Sequence, residues 1–74
     1  MNRYPVLKAR EVIKILNKLG FFEARQRSSH LQFRHSDKRC TTVPIHAGKD
    51  ISPILLRQIT KDINITIDNL LDQK

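Results

Sequence analysis

The chain has 74 residues, with 14 Lys and Arg against 7 Asp and Glu, for a formal net charge of +7. A length of this order suits one small domain with a modest core, so a single domain over residues 1–74 is expected. No apolar run approaches the roughly 18 residues that span a bilayer, and the N-terminal composition does not predict a secretory leader. The single cysteine, Cys40, rules out a disulfide framework within the chain and fits a reducing compartment. The charge is lopsided. Met1 to Lys49 holds eleven basic and three acidic residues, a balance of +8, whereas Asp50 to Lys74 holds three basic and four acidic, a balance of −1. Such a field attracts polyanions and speeds encounter with them.

In chain order, Met1 to Lys8 reads as an extended lead-in, because Pro5 disfavours helix at Tyr4. Ala9 to Leu19 then places Ala9, Val12, Ile13, Leu16 and Leu19 on one helical stripe. Gly20 follows, suited to the left-handed residue that ends a helix. The helix start is weakly marked, since neither Lys8 nor Ala9 is a good N-cap. Phe21 to Arg27 is a first strand, with Phe22, Ala24 and Gln26 on one side and Glu23, Arg25 and Arg27 on the other. Ser28 and Ser29 make a tight connection. A second strand, His30 to His35, sends Leu31 and Phe33 one way and His30, Gln32 and Arg34 the other. Ser36 to Arg39 is a hairpin turn, and Cys40 to His46 is a third strand. Pro44 lacks an amide hydrogen, which puts that third strand at an edge and the His30 strand in the centre. Ala47 to Asp50 is a loop. Ser52 and Pro53 are N-cap and first residue of a second helix, with Leu55, Leu56, Ile59 and Ile63 inward and Asn64 at its end. Thr66 caps a short last helix, about Ile67 to Asp72, with Ile65 and Leu70 at the spacing of a hydrophobic staple.

The expected fold is therefore α+β: a helix, a three-stranded antiparallel sheet, a helix, and a short C-terminal helix. The two long helices cover the apolar side of the sheet. The other side is expected to carry Glu23, Arg25, Arg27, His30, Gln32, Arg34, Thr42, Pro44 and His46, a polar and largely basic face.

That face suggests chemistry on RNA. RNA carries its own nucleophile, the ribose 2′-hydroxyl, so a nuclease acting on it needs only a base and cations for the charged phosphorane. Histidine is the natural base, because its ordinary pKa lies near neutrality. His30 is the candidate catalytic residue. Arg25, Arg27, Ser28, Ser29, Arg34, His46 and Lys49 are the candidate RNA contacts, the arginines through bidentate phosphate binding. The expected products are a 2′,3′-cyclic phosphate and a 5′-hydroxyl. His35 is assigned a structural role at a strand end. His30, His35, Cys40 and His46 match no common zinc spacing, and alternation splits them between faces, so no metal or other cofactor is expected.

Several stretches carry a resemblance to a known family. They are Leu19-Gly20-Phe21, Arg25-Gln26-Arg27-Ser28-Ser29-His30, Phe33-Arg34-His35, and the run from Thr42-Val43-Pro44-Ile45-His46 through Gly48-Lys49-Asp50-Ile51. Leu56-Arg57-Gln58-Ile59 and the Ile65-Thr66 step belong with them. Taken together, from about Leu7 to Leu71, the chain resembles the HicA toxin family. The resemblance implies a fold similar to the double-stranded-RNA-binding domain (dsRBD-like). It also implies an mRNA endonuclease that arrests growth, in the cytoplasm of a bacterium or archaeon. The implied partner is a HicB-type antitoxin that covers the active site, with DNA reached only indirectly through that antitoxin and no membrane involved. The family's catalytic histidine falls on His30, within a Gly-Ser-His pattern. Ser28 stands where the family carries glycine, and serine enters positive φ less freely. Ser52-Pro53-Ile54 replaces a Gly-Thr-Leu type segment, and either version starts a helix. Two other classes fit the same residues: a non-catalytic RNA-binding module, and an antitoxin-binding module whose basic face meets an acidic protein.

Overall fold

Local signals at the ends of each element explain most of the backbone. The computed structural model describes residues 6–45 and 50–73. In chain order its elements are β1 (Leu7–Lys8), α1 (Ala9–Lys18), β2 (Phe22–Arg27), β3 (His30–Arg34), β4 (Cys40–Pro44), β5 (Asp50–Ile51), α2 (Pro53–Asp62) and α3 (Ile67–Asp72). The expected α+β layout is the observed one, with strand order β2-β3-β4 in an antiparallel sheet.

Helix α1 starts without a side-chain acceptor at its N-cap, because the lysine ammonium of Lys8 can only donate. The Lys8 backbone N–H instead donates to Glu11 Oε1 at 3.0 Å, which is half of a capping box. The helix ends in a Schellman arrangement. The Gly20 N–H donates to Asn17 O and the Phe21 N–H to Leu16 O, with Gly20 at φ +95. Asn64 does the same for α2 at φ 59, with the Ile65 N–H donating to Thr60 O and the Asn64 N–H to Lys61 O. Both other helix starts are capped as expected. Leu55 N–H donates to Ser52 Oγ at 3.2 Å, and Asn69 N–H donates to Thr66 Oγ1 at 3.1 Å.

The core lies between the helices and one side of the sheet. Val12, Ile15 and Leu16 of α1 and Leu56 and Ile59 of α2 meet Leu31, Phe33 and Val43 of the sheet, all buried. Leu70 of α3 is fully buried as well, and Ile65 packs against the same cluster, as a hydrophobic staple requires. A side-chain pair ties β4 to α2: Thr41 Oγ1 donates to Asp62 Oδ2 at 3.0 Å.

Four expectations need correction. First, α1 buries Ile15, which the expected stripe omits, while Ile13 and Leu19 are only partly buried. A stripe wider than a strict repeat places Ile15 beside Leu16 against the core. Second, Phe21 is not part of a strand. It is the residue after Gly20 in the helix terminator, and its ring is buried. Third, Asp50 is part of a strand and not of the loop before α2, and its partner is the end of the extended lead-in. Leu7 pairs with Ile51 and Lys8 with Asp50, a two-residue antiparallel ladder supported by Lys8 Nζ to Asp50 Oδ1 at 3.2 Å. Fourth, β2 contains a bulge between Glu23 and Arg25, which reverses the facing of the residues before it. Glu23 pairs with Phe33 on the core side, and Phe22 pairs with Arg34 on the opposite side. The helices pack chiefly over β4, so no residue of β2 is buried.

Candidate functional site

The face of the sheet turned away from the helices is organised by strand register. Residues directly opposite one another in an antiparallel ladder share a face. Three rows therefore cross β2, β3 and β4: Arg27–His30–Pro44, Arg25–Gln32–Thr42, and Phe22–Arg34–Cys40. Neighbouring rows are two residues apart, about 6.6 Å, so the first and third are about 13 Å apart.

His30 opens the central strand and is exposed to solvent. The turn that delivers it is the two-residue link Ser28-Ser29. Ser28 has φ 55 and Ser29 does not share the positive sign, the pattern of a type II′ hairpin, whose first central position favours glycine. Serine holds that conformation here. Its surroundings pin the turn from both sides: Ile45 N–H donates to Ser29 O, and Gln26 Nε2 donates to Ser28 O at 3.3 Å. The imidazole is thus carried on a strand end whose backbone is fixed by a neighbouring strand.

Of the expected site residues, Arg27, Ser28, Ser29 and His30 are brought together at this hairpin end. Arg25 lies one row further on, beside Gln32. Arg34 lies in the far row, too distant to share one phosphate with His30, though on the same face. His46 and Lys49 fall outside the described residues. The bulge gives this face a property that simple alternation hides. With Glu23 turned to the core side, its described residues include no carboxylate. Arg25, Arg27 and Arg34 are exposed and form no ion pair among the described residues. Free guanidinium groups on one surface suit an anion.

His35 is separate from this cluster. Its ring stands edge-on to Phe21 at 4.9 Å between centroids, and Asp37 N–H donates to its Nδ1 at 3.2 Å. Arg39 completes that corner. Its Nε donates to Asp37 Oδ2 at 2.8 Å, a second guanidinium nitrogen donates to Ile63 O, and the guanidinium lies 5.1 Å from the centre of the Phe21 ring. The Arg39 side-chain hydrogen bond, more than any other contact, holds the Asp37 carboxyl below its ordinary value of 3.8. This group locks the β3–β4 turn onto the end of α2. Among the described residues no three His, Cys, Asp or Glu side chains converge as metal ligands.

Phe22 lies on this face, whereas sequence parity puts it on the core side. The available signal was Gly20: a hydrophobic residue after a C′ glycine commonly packs back on the last turn of its helix, which assigns Phe21 to the core and starts the strand only at Phe22.

The chain matches the family model described as HicA toxin of bacterial toxin–antitoxin over residues 9–65. It belongs to the HicA toxin family. The matched span begins with α1 and runs past α2, so it contains the whole three-stranded sheet and the His30 hairpin. β1 and α3 lie outside it. Family membership makes the chain the toxin of a toxin–antitoxin system. No curated protein matches the chain at a significant level. Among the described residues no helix is long and apolar enough to cross a membrane.

Proposed function

We propose that this HicA-family toxin is a metal-independent endoribonuclease that cleaves mRNA in the cytoplasm, with His30 as general base. The observation that carries the reading is the position of His30: exposed, at the first residue of the central strand, with Arg27 directly across from it. His30 accepts the proton of a ribose 2′-hydroxyl. The 2′-oxygen attacks the adjacent phosphorus and the bond to the 5′-oxygen breaks. The leaving oxygen takes up a proton, from His46 or from water, and the products are a 2′,3′-cyclic phosphate and a 5′-hydroxyl. Arg27 and the hairpin's Ser28 and Ser29 hold the phosphate on which negative charge builds, where charge stabilisation lowers the barrier most. Arg25 and Arg34 hold the strand further along, and Lys49 adds a contact to RNA. A HicB-type antitoxin covers this cationic face and blocks the reaction, and DNA is reached only through that antitoxin.

The test is cleavage of a defined single-stranded RNA in EDTA by the wild-type protein and by His30→Ala. Loss of a general base costs about 10²–10⁴ in rate. The expected result is cleavage by the wild type with a cyclic-phosphate end, and a drop of at least about a hundredfold for the variant. Equal cleavage by both removes His30 from the mechanism. Binding of RNA by both with cleavage by neither points to a non-catalytic module instead.

A further inference from the structure

Phe22 follows the buried Phe21, yet 53% of it is exposed. Among the described residues the other two large apolar side chains so exposed are Val6 and Ile54, and neither lies on the three-stranded sheet. Phe22 owes its position to the bulge in β2, which turns its ring onto the cationic face. There it borders a concavity of about 430 Å³, lined also by Arg34, His35, Lys38, Arg39 and Cys40. Small-molecule sites have volumes of this order. The rim is firm, because Arg39 is held by Asp37 and by the carbonyl of Ile63. Arg34 and Lys38 form no ion pair among the described residues, so their charges are available.

We infer that Phe22 is a base-stacking platform of an RNA subsite, with Arg34 and Lys38 contacting the phosphates beside the stacked base. Proteins that bind single strands combine a cationic groove with exposed aromatic rings in this way, because every base has a π-face. The inference rests on the ribonuclease reading and adds a substrate contact remote from the reacting atoms. The Phe22 row lies about 13 Å along the strands from the His30 row, a span that a few extended nucleotides cross. A base seated on Phe22 therefore anchors the strand while His30 acts on a phosphate further along. One exposed ring among Arg34, Lys38 and Arg39 fits a nucleotide better than the charge-depleted centre of a protein interface.

The experiment uses the full chain carrying His30→Ala, so that substrate stays intact, and a short fluorescein-labelled single-stranded oligoribonucleotide. Binding is read by anisotropy over a range of salt concentrations for this protein and for the same protein with Phe22→Leu, Phe22→Tyr or Arg34→Gln added. Phe22→Leu is expected to weaken binding at least about fivefold with the salt slope unchanged, the signature of a lost stack and not a lost charge. Phe22→Tyr restores the affinity. Arg34→Gln weakens binding and lowers the salt slope by about 0.7, the value for one single-strand phosphate contact. An unchanged thermal midpoint for Phe22→Leu separates the effect from a structural one. If Phe22→Leu binds as tightly as its parent, the platform is refuted, and the exposed ring belongs to a protein contact or to none. If the folded His30→Ala protein itself fails to bind the oligoribonucleotide, the ribonuclease reading fails, and the platform falls with it.

Discussion

Ser28 holds a left-handed conformation that a side chain opposes, so Ser28→Gly is expected to stabilise the domain. The residue sits at φ 55 in the turn before His30. Forcing an L-residue into that region costs about 1–2 kcal/mol, through the clash of Cβ with the following carbonyl. Glycine removes that cost but loses more freedom on folding, which returns about 0.5–1 kcal/mol. Nothing else is lost. The Ser28 side chain is exposed and makes no hydrogen bond among the described residues, and the bond from Gln26 goes to the Ser28 carbonyl, which glycine keeps. The net gain is about 0.5–1 kcal/mol, and at about 4–8 °C per kcal/mol for a domain of this size the midpoint should rise by about 2–8 °C. Thermal unfolding by circular dichroism reads this directly. Ser28→Ala is the control: it retains the Cβ and with it the strain, so its midpoint should stay close to that of the wild type. A Ser28→Gly midpoint at or below the wild-type value would refute the argument, and with it the claim that the turn is strained.

Other consequences follow from the same geometry. Gly20→Ala should destabilise by at least about 1–2 kcal/mol, since the residue sits at φ +95 and a Cβ there would lie 3.0 Å from His35 Nε2. An unchanged thermal midpoint would contradict it. Phe33→Ala removes a fully buried ring from the centre of the sheet and should cost about 3–5 kcal/mol, read as a lower urea midpoint. A loss under about 1 kcal/mol would mean that the core is not closed over β3. The Asp37 carboxyl is held below its ordinary 3.8 in the folded protein, so the contribution of its pair with Arg39 is full above that value and fades as pH falls through the lower folded value. Urea unfolding of wild type and Asp37→Asn should therefore differ at neutral pH and converge at strongly acid pH. A gap that widens on acidification would reverse the sign and exclude this account.

Much of the candidate site was legible in the residues themselves. The alternation of His30, Gln32 and Arg34 against Leu31 and Phe33 fixed which side of the central strand meets the core, and the structure buries Leu31 and Phe33 accordingly. Pro44 marked its strand as an edge, as the strand order bears out. The first strand was less readable, because a bulge has no composition of its own. Simple alternation put Glu23 among the arginines and Phe22 in the core, and the register reverses both. The consequence is functional as well as structural. The reversal takes the one carboxylate off the cationic face and puts an aromatic ring on it.

What the sequence by itself determined was whatever is encoded within about one helical turn or one hairpin. Gly20 and Asn64 end their helices, Ser52 and Thr66 start theirs, and the two-serine link sets a tight hairpin ahead of His30. Each of these works by satisfying backbone groups from a few residues away, so composition and spacing are enough to read it. What only the tertiary structure decided was the partnering of distant segments. Leu7 pairs with Ile51, and Arg39 bonds the carbonyl of Ile63. The bulge belongs here too, because the pairing of β2 with β3 defines it. Such choices are settled by burial and by unpaired backbone groups that meet only when the chain is folded. They leave no periodic trace in the residues that make them.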